Sequence, residues 1–401
     1  MHSTRRDFLS ATAAAMTLST ALPTALANGE APAAQAPAAA SPYAAPTEVK
    51  AIDIINLREI EPAAQKVIPV GGFGYISSAA GDEWTKRENE AAFKRVTIVP
   101  RYLTGYKDAD RSTTLLGSKV SMPIIVSAMA QHGMAHATAE IGSAKGAGEA
   151  GALYTAGSLS NYTLEEIAQA STAPKWFQIY LPADRGVATE ILNRAKAAGY
   201  RAIILTIDTA VASNRETDVR NHFRSPLPLG NFPGENGAYA ASPVKRDLDW
   251  SDVAFIQKTA GLPVLLKGVM SPELAVAAID HGCAGIQVSN HGGRQLDDVA
   301  ASIAVLPRIA DAVRGRATII IDGGIRRGQD VFKALALGAN AVAIGRPVLY
   351  GLALGGWMGV QAVLKHLDAE LEMTMRLAGA RTIAEISRRY VSAVPETGAA
   401  V

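Results

Sequence analysis

From Pro123 onward, short runs of continuously apolar residues alternate with longer stretches in which apolar residues recur at helical spacing. The apolar runs cover 123–129, 151–156, 175–181, 201–208, 263–269, 285–290, 318–324 and 341–347. Ile203-Ile204-Leu205 and Ile319-Ile320-Ile321 are apolar at every position, the pattern of strands buried on both faces of a parallel sheet. The stretches between them carry helix punctuation. Ser271 precedes Pro272 at the head of one, as an N-cap before a first-turn proline, and 330–338 ends on Gly338. Starts of successive runs lie 22 to 33 residues apart, except for a gap of 62 between the fourth and the fifth. Eight βα units of this kind predict an α/β fold, a (β/α)8 TIM barrel, with a long insertion after strand 4. That insertion holds the glycine-rich stretch 229–237, too long for a compact connection, and it reads as a mobile lid.

The chain before the barrel has a different texture. Residues 1–27 read as an export signal: Arg5-Arg6-Asp7-Phe8-Leu9, a mildly apolar 11–22, then Ala25-Leu26-Ala27 as a small-residue cleavage site. The paired arginines resemble a twin-arginine signal, which implies a periplasmic or secreted protein exported after folding. Residues 28–47, rich in Ala and Pro without hydrophobic period, read as a disordered tether. The domain predicted over 48–390 begins with a helical lead-in that includes a helix carrying Arg87 to Phe93, and 391–401 reads as a flexible tail.

Composition narrows the function. Lys plus Arg number 39 against 37 Asp plus Glu, so no electrostatic footprint for nucleic acid is expected. The single cysteine, Cys283, excludes an intrachain disulfide framework and a Cys-rich metal site, and its place before an apolar strand favours packing over reactivity. The histidines show no metalloprotease spacing, so no metal is expected. No apolar run after the leader reaches the ~20 residues that would span a bilayer. A small-molecule partner fits this balance.

In a barrel of this kind chemistry gathers at the C-terminal ends of the strands. Strand 3 ends in Gln178-Ile179-Tyr180, strand 4 in Thr206-Ile207-Asp208, strand 5 in Lys267-Gly268, strand 6 in Ser289-Asn290-His291, strand 7 in Asp322-Gly323-Gly324-Ile325-Arg326, and strand 8 in Gly345-Arg346. Taken singly, Gln178 and Thr206 suit barrel filling as well as ligand contact, Asp208 suits a helix N-cap, and Lys267 suits an ion pair. Ionisable groups converging at consecutive strand ends are costly to bury without a ligand or mutual pairing. After strand 6, His291 and Arg294 stand three positions apart beside Gly292 and Gly293, a possible base and a fixed cation. The loops after strands 7 and 8, where such barrels hold phosphate, carry glycines and arginines.

The run 289–297 (Ser-Asn-His-Gly-Gly-Arg-Gln-Leu-Asp), with 322–328 and Gly345-Arg346-Pro347, strongly resembles the FMN-dependent 2-hydroxy acid oxidases and dehydrogenases. The resemblance extends from Ile52 to Ile386 and leans toward the lactate oxidases at 53–57, 71–75, 81–87, 133–138, 176–180 and 351–357. It implies FMN as cofactor and His291 as base, paired with Asp208. Arg294, Tyr75 and Arg215 would grip the substrate carboxylate, and Tyr180 would bond its hydroxyl. Gln178, Thr206, Ser289 and the backbone of Ala128, Met129 and Ala130 would hold the flavin ring, and Lys267 its N1 and O2 edge. Asp322, Gly324, Arg326, Gly345 and Arg346 would hold the ribityl phosphate.

Three positions depart from the family pattern. Leu159 falls where an aromatic side chain commonly lines the substrate pocket, Gly157 where serine is common, and Gly293 where alanine is frequent, a change expected to bear on oxygen access. Phe232 and Tyr239 are the lid's candidate aromatic caps. The resemblance implies oxidation of a small L-2-hydroxy acid, foremost L-lactate, to the 2-oxo acid, with the flavin reoxidised by oxygen to give hydrogen peroxide. Rival outcomes are a dehydrogenase serving a periplasmic or membrane electron carrier, a lactate 2-monooxygenase, and, in another class, a non-redox flavin-binding barrel or FMN-using isomerase. The resemblance also implies a homo-oligomer, a tetramer.

Overall fold

A computed structural model of the protein describes residues 43–105, 107–232 and 243–393. Eight strands close into a parallel barrel: β1 (Ile124–Val126), β2 (Leu153–Gly157), β3 (Lys175–Ile179), β4 (Ile203–Thr206), β5 (Val264–Val269), β6 (Gly285–Val288), β7 (Thr318–Asp322) and β8 (Ala341–Ile344). Each pairs with its neighbours in sequence, and β8 returns to β1 with Val342 opposite Ile124. All eight predicted runs are strands. Alternation along each strand sorts the core into two clusters. Ile125, Trp176, Ile204, Leu265 and Ile320 pack with Leu115 and Val120 of the short hairpin that precedes β1, whereas Ile203 and Leu205 belong to the larger cluster shared with the helices. Cys283 lies in that larger cluster, buried and unpaired with another cysteine.

The lead-in comprises α1 (Leu57–Gln65), α2 (Val70–Ser77) and α3 (Trp84–Ala91). Asn56 caps α1 through its side chain, accepting from the Arg58 amide. Asp297, at the end of the His-Gly-Gly-Arg run, accepts from the amides of Trp84 and Thr85 and so ties α3 to the loop after β6. The remaining helices follow barrel strands: α4 (Ala139–Ala150), α5 (Leu164–Gln169), α6 (Arg185–Ala197), α7 (Glu216–Arg220), α8 (Trp250–Ala260), α9 (Pro272–Asp280), α10 (Ser302–Val313), α11 (Gly328–Ala336) and α12 (Arg346–Ala378). Ser271 caps α9 as predicted, its hydroxyl accepting from the Leu274 amide.

Several expectations are corrected. The tether does not extend to residue 47: the Tyr43 hydroxyl donates to the Met134 carbonyl at 2.8 Å, and the Ala137 amide donates to the Pro46 carbonyl. The tail does not begin at 391, because Val391–Ala393 pairs antiparallel with Val96–Ile98. The predicted helix carrying Arg87 to Phe93 is α3 continued by a 3-10 turn over Ala92–Arg95; it starts at Trp84, where Asp297 supplies an N-terminal cap from 213 residues away. Among the described residues one helix, α12, is long and apolar enough to cross a membrane. It breaks at Gly355 and Gly356, which leave helical geometry, and 72% of its most apolar window is buried against the rest of the fold.

The described feet of the β4 insertion are pinned. The Gly230 amide donates to the Ser160 carbonyl, the Asn161 side chain to the Pro228 carbonyl, and the Lys245 amide to the Leu181 carbonyl. Phe232 is buried in the main core, so it is part of the anchor and not a cap over the site; Tyr239 lies outside the described residues.

Candidate active site

A cavity of 310 Å³ opens at the C-terminal ends of the barrel strands. Among its lining residues are Ala128, Met129 and Ala130 after β1, Leu159 after β2, Gln178 from β3 and Tyr180 just after it, and Lys267 from β5. The end of β7 adds Asp322, the loops after β6, β7 and β8 add His291, Arg294, Gly324, Arg326 and Gly345, the start of α12 adds Arg346, α2 brings Tyr75 and the insertion brings Arg215. Three expected site residues stand behind this wall. Asp208 accepts from His291, the Thr206 hydroxyl accepts from the Gln178 amide at 2.8 Å, and the Ser289 hydroxyl accepts from the His291 backbone at 3.0 Å.

His291 is the centre of the arrangement. It sits at φ +58°, a left-handed conformation uncommon outside glycine, in a turn closed by the Gly293 amide donating to the Asn290 carbonyl. That turn aims Nδ1 at Asp208 Oδ1, 2.9 Å away, and leaves Nε2 facing the Tyr180 hydroxyl at 3.5 Å. Lys267 Nζ lies 3.4 Å from Nδ1. Burial, followed by the Lys267 charge, holds the imidazole below its ordinary pKa, although Asp208 pulls the other way. Burial pushes the Asp208 carboxyl up, but the Lys267 and His291 charges outweigh it and keep the group ionised. Gly268, at φ +110° in the irregularity that ends β5, is required here: a Cβ would stand 2.9 Å from that of Asp208. The result is a neutral imidazole, oriented by a carboxylate, with one nitrogen directed into the cavity.

Cations face the histidine. The Arg294 guanidinium donates to the carbonyls of Tyr75 and Ser78 at 2.6 and 3.0 Å and lies 4.8 Å from the centre of the Tyr75 ring. Arg215 approaches the same ring at 5.2 Å and pairs loosely with Asp218, 3.5 Å away. The Tyr75 ring therefore attracts both guanidinium groups and helps orient them. Burial lowers the Arg294 pKa from its ordinary value, with Arg215 acting in the same direction. Two cations this close and this short of acidic partners form a seat for an anion.

At the far end, Gly323 and Gly324 turn at φ +97° and +78°, beside Arg326 and Arg346. A Cβ on Gly324 would lie 2.0 Å from the Asn89 carbonyl of α3. Asp322 gives one oxygen to Gln287 at 2.6 Å, while its buried Oδ1 has no partner among the described residues. An orphaned carboxylate oxygen on the cavity wall, next to glycine turns and two arginines, suits a polyhydroxy chain ending in phosphate. Arg346 is also a clamp: its guanidinium donates to the carbonyls of Ile76, Gly292 and Ser78 at 3.1, 3.0 and 2.8 Å. Burial brings its pKa down to about 10, so it stays protonated at neutral pH. Arg326 pairs with Glu90 at 2.9 Å.

Sequence reasoning missed the residues that lock these groups in place. Asn290 and Asn89 exchange side-chain hydrogen bonds of 2.8 Å in both directions, and Gln295 donates to the Asp208 carbonyl at 2.9 Å. Gln287, a lone amide inside an apolar strand, was the one visible signal. Gly293, expected to bear on oxygen access, faces away from the cavity, where a Cβ would meet the Lys86 amide at 2.7 Å. At Gly157 a Cβ would lie 2.9 Å from the Met129 carbonyl, which leaves no room for a larger residue in this geometry.

The fold and the site define a flavin-phosphate-binding barrel built around a histidine base and an anion seat. Residues 64–393 match the FMN-dependent dehydrogenase family. The chain is 44% identical to an L-lactate oxidase of Lentilactobacillus hilgardii, over 84% of this chain and 94% of that protein. It is 43% identical to the glycolate oxidase of Spinacia oleracea, over 85% and 96%. The structure of a Pediococcus acidilactici lactate oxidase superposes with a TM-score of 0.84 at 43% identity, covering 88% of this chain and 98% of the other. The chain belongs to the FMN-dependent dehydrogenase family, and FMN is its cofactor.

Proposed function

We infer that the protein oxidises a small L-2-hydroxy acid, foremost L-lactate, to the 2-oxo acid, with oxygen as electron acceptor and hydrogen peroxide as second product. The observation that carries the reading is the placement of the His291–Asp208 pair opposite Arg294, Arg215 and Tyr75 in one cavity. Similarity to lactate oxidases supports lactate, and similarity to glycolate oxidase keeps glycolate beside it. Leu159 on the wall supports tolerance of a side chain larger than methyl.

Bound FMN supplies the acceptor for the electron pair that leaves the substrate α-carbon. The protein's share is positioning and proton handling. Arg294 and Arg215 seat the carboxylate, which fixes the hydroxyl near His291 Nε2 and Tyr180. His291 takes the hydroxyl proton, and Asp208 stabilises the resulting imidazolium. Lys267, on the cavity wall, would hold the N1 and O2 edge of the flavin, where its charge would favour uptake of electrons. Asp322, Gly324, Arg326, Gly345 and Arg346 would hold the ribityl phosphate, and Gln178 and Ala128 to Ala130 the ring, with Thr206 and Ser289 bracing Gln178 and His291 from behind.

Anaerobic mixing of the yellow protein with L-lactate, glycolate and L-mandelate tests the reading: L-lactate is expected to bleach the flavin, and admission of air to restore it with peroxide release. Failure of all three acids to bleach it would overturn the reading, and sluggish recovery in air would favour an electron carrier. The order of charge, apolar core and small-residue site in residues 1–27 supports twin-arginine export, which N-terminal sequencing of periplasmic protein checks. Family resemblance supports a homotetramer, which light scattering checks.

A further inference from the structure

Glu140, in the first turn of α4, is fully buried yet has no cationic partner among the described residues. Its carboxylate accepts instead from backbone amides: that of His132 on Oε1 at 2.9 Å, that of Asn161 on Oε2 at 3.0 Å, and that of Tyr162 as well. His132 lies in the loop after β1 and Asn161 in the loop after β2. Between these grips the Gln131 amide donates to the Leu159 carbonyl at 3.0 Å. The residues held are next to Met129, Ala130 and Leu159, which line the cavity. Asn161 extends the knot: its side chain accepts from the Gly133 amide at 2.8 Å and donates to the Pro228 carbonyl at 2.8 Å, at the foot of the insertion that follows β4.

We propose that Glu140 is a positioning residue for substrate: its ionised carboxylate sets the spacing of the β1 and β2 loops, and with it the shape of the cavity wall formed by Met129, Ala130 and Leu159. Four backbone amides converging on a carboxylate, those of His132, Asn161, Tyr162 and Glu140 itself, need an acceptor with several lone pairs. A protonated acid or an amide in that place turns one acceptor position into a donor facing an amide N–H, which weakens the grip on the two loops. Burial pushes the Glu140 carboxyl up to about 7 against the pull of the amides, which places this change within reach of ordinary pH. The titratable groups facing it are His132 from the β1 loop, whose Nδ1 is bonded to Ser143, and Tyr154 from β2. His132 is fully buried and depressed to about 3, so it stays neutral while Glu140 titrates.

The test uses the FMN-loaded enzyme and propionate, a lactate isostere without the hydroxyl, whose binding is read from the flavin absorbance. This readout survives even if the substrate reading above fails, because propionate binding needs no oxidation. In the wild type the propionate Kd and the L-lactate KM are expected to rise as pH falls through about 7. Glu140→Gln is expected to raise both about tenfold at pH 8, with little change in kcat, and to remove the inflection. A purely structural role would lower Tm without moving the pH profile. Wild-type Kd and an intact inflection in Glu140→Gln would overturn the proposal. If that variant does not fold, Asn161→Ala decides: weaker propionate binding with the inflection retained supports the proposal, and wild-type binding overturns it.

Discussion

His291 works because three neighbours act on it at once, and each makes a measurable claim. Replacing it with Ala is expected to slow anaerobic flavin bleaching by ~10²–10⁴-fold, as measured by stopped flow. Its pKa is lowered by burial and by Lys267, and the base is active when neutral. The kcat is therefore expected to hold as pH falls to the ordinary histidine value near 6.5 and to fall only below it, since the Glu140 inflection near 7 acts on KM; a kcat profile breaking above 6.5 would contradict the depression. At Arg294 the fork geometry matters as much as the charge. Arg294→Lys keeps the cation but loses the paired bonds to the Tyr75 and Ser78 carbonyls and the stack on Tyr75, so the L-lactate KM is expected to rise at least tenfold. The identities of these groups were legible in the sequence because ionisable residues at the ends of apolar runs have few structural reasons to exist. Their partners were not: Asn89 lies 201 residues from Asn290, and nothing local marks either as half of a buried pair.

Elements place the residues. Strands and their register follow from continuous apolar runs, and helix starts such as that of α9 follow from local capping, so both could be read directly. The ends of the chain's ordered part were misread because their partners are distant. Tyr43 is held by Met134, and Val391–Ala393 by Val96–Ile98. The lead-in helix α3 shows how closely elements must approach, since it lies on the Gly323–Gly324 turn with no space for a side chain. Gly324→Ala, with φ +78° and a Cβ 2.0 Å from the Asn89 carbonyl, is expected to cost ~2–4 kcal/mol and to release flavin. Denaturant midpoints and the flavin-to-protein ratio check it.

At the scale of the whole molecule, buried charge sets the response to ligand and to pH. Lys267, Arg294, Arg326 and Arg346 share one cavity, so removing the anionic cofactor is expected to lower Tm, and added FMN to restore it in a concentration-dependent way. Two buried groups outside the cavity oppose each other. His132, neutral when folded down to about pH 3, makes the protein less stable as pH falls below 6.5, because only the unfolded chain then takes up the proton. Glu140, raised to about 7 when folded against 4.5 when unfolded, makes it more stable as pH falls between those values. From pH 6.5 to 4.5 the two nearly cancel. Glu140→Gln should uncover the histidine slope of about 1 kcal/mol per pH unit in urea midpoints.

What the amino-acid sequence determined by itself was the barrel, the strand that carries each reactive group, and the flavin chemistry that those groups share. The first two rest on local periodicity, and the flavin chemistry on the family resemblance carried by short motifs whose members are adjacent in the chain. Tertiary structure alone decided which groups touch. It set Arg346 as a clamp on three carbonyls as well as a cavity wall, turned Gly293 away from the cavity, and sank Glu140 among amides. The physical reason is that hydrogen bonds and burial act over a few ångströms in space, between residues that the closed barrel brings together from far apart in the sequence.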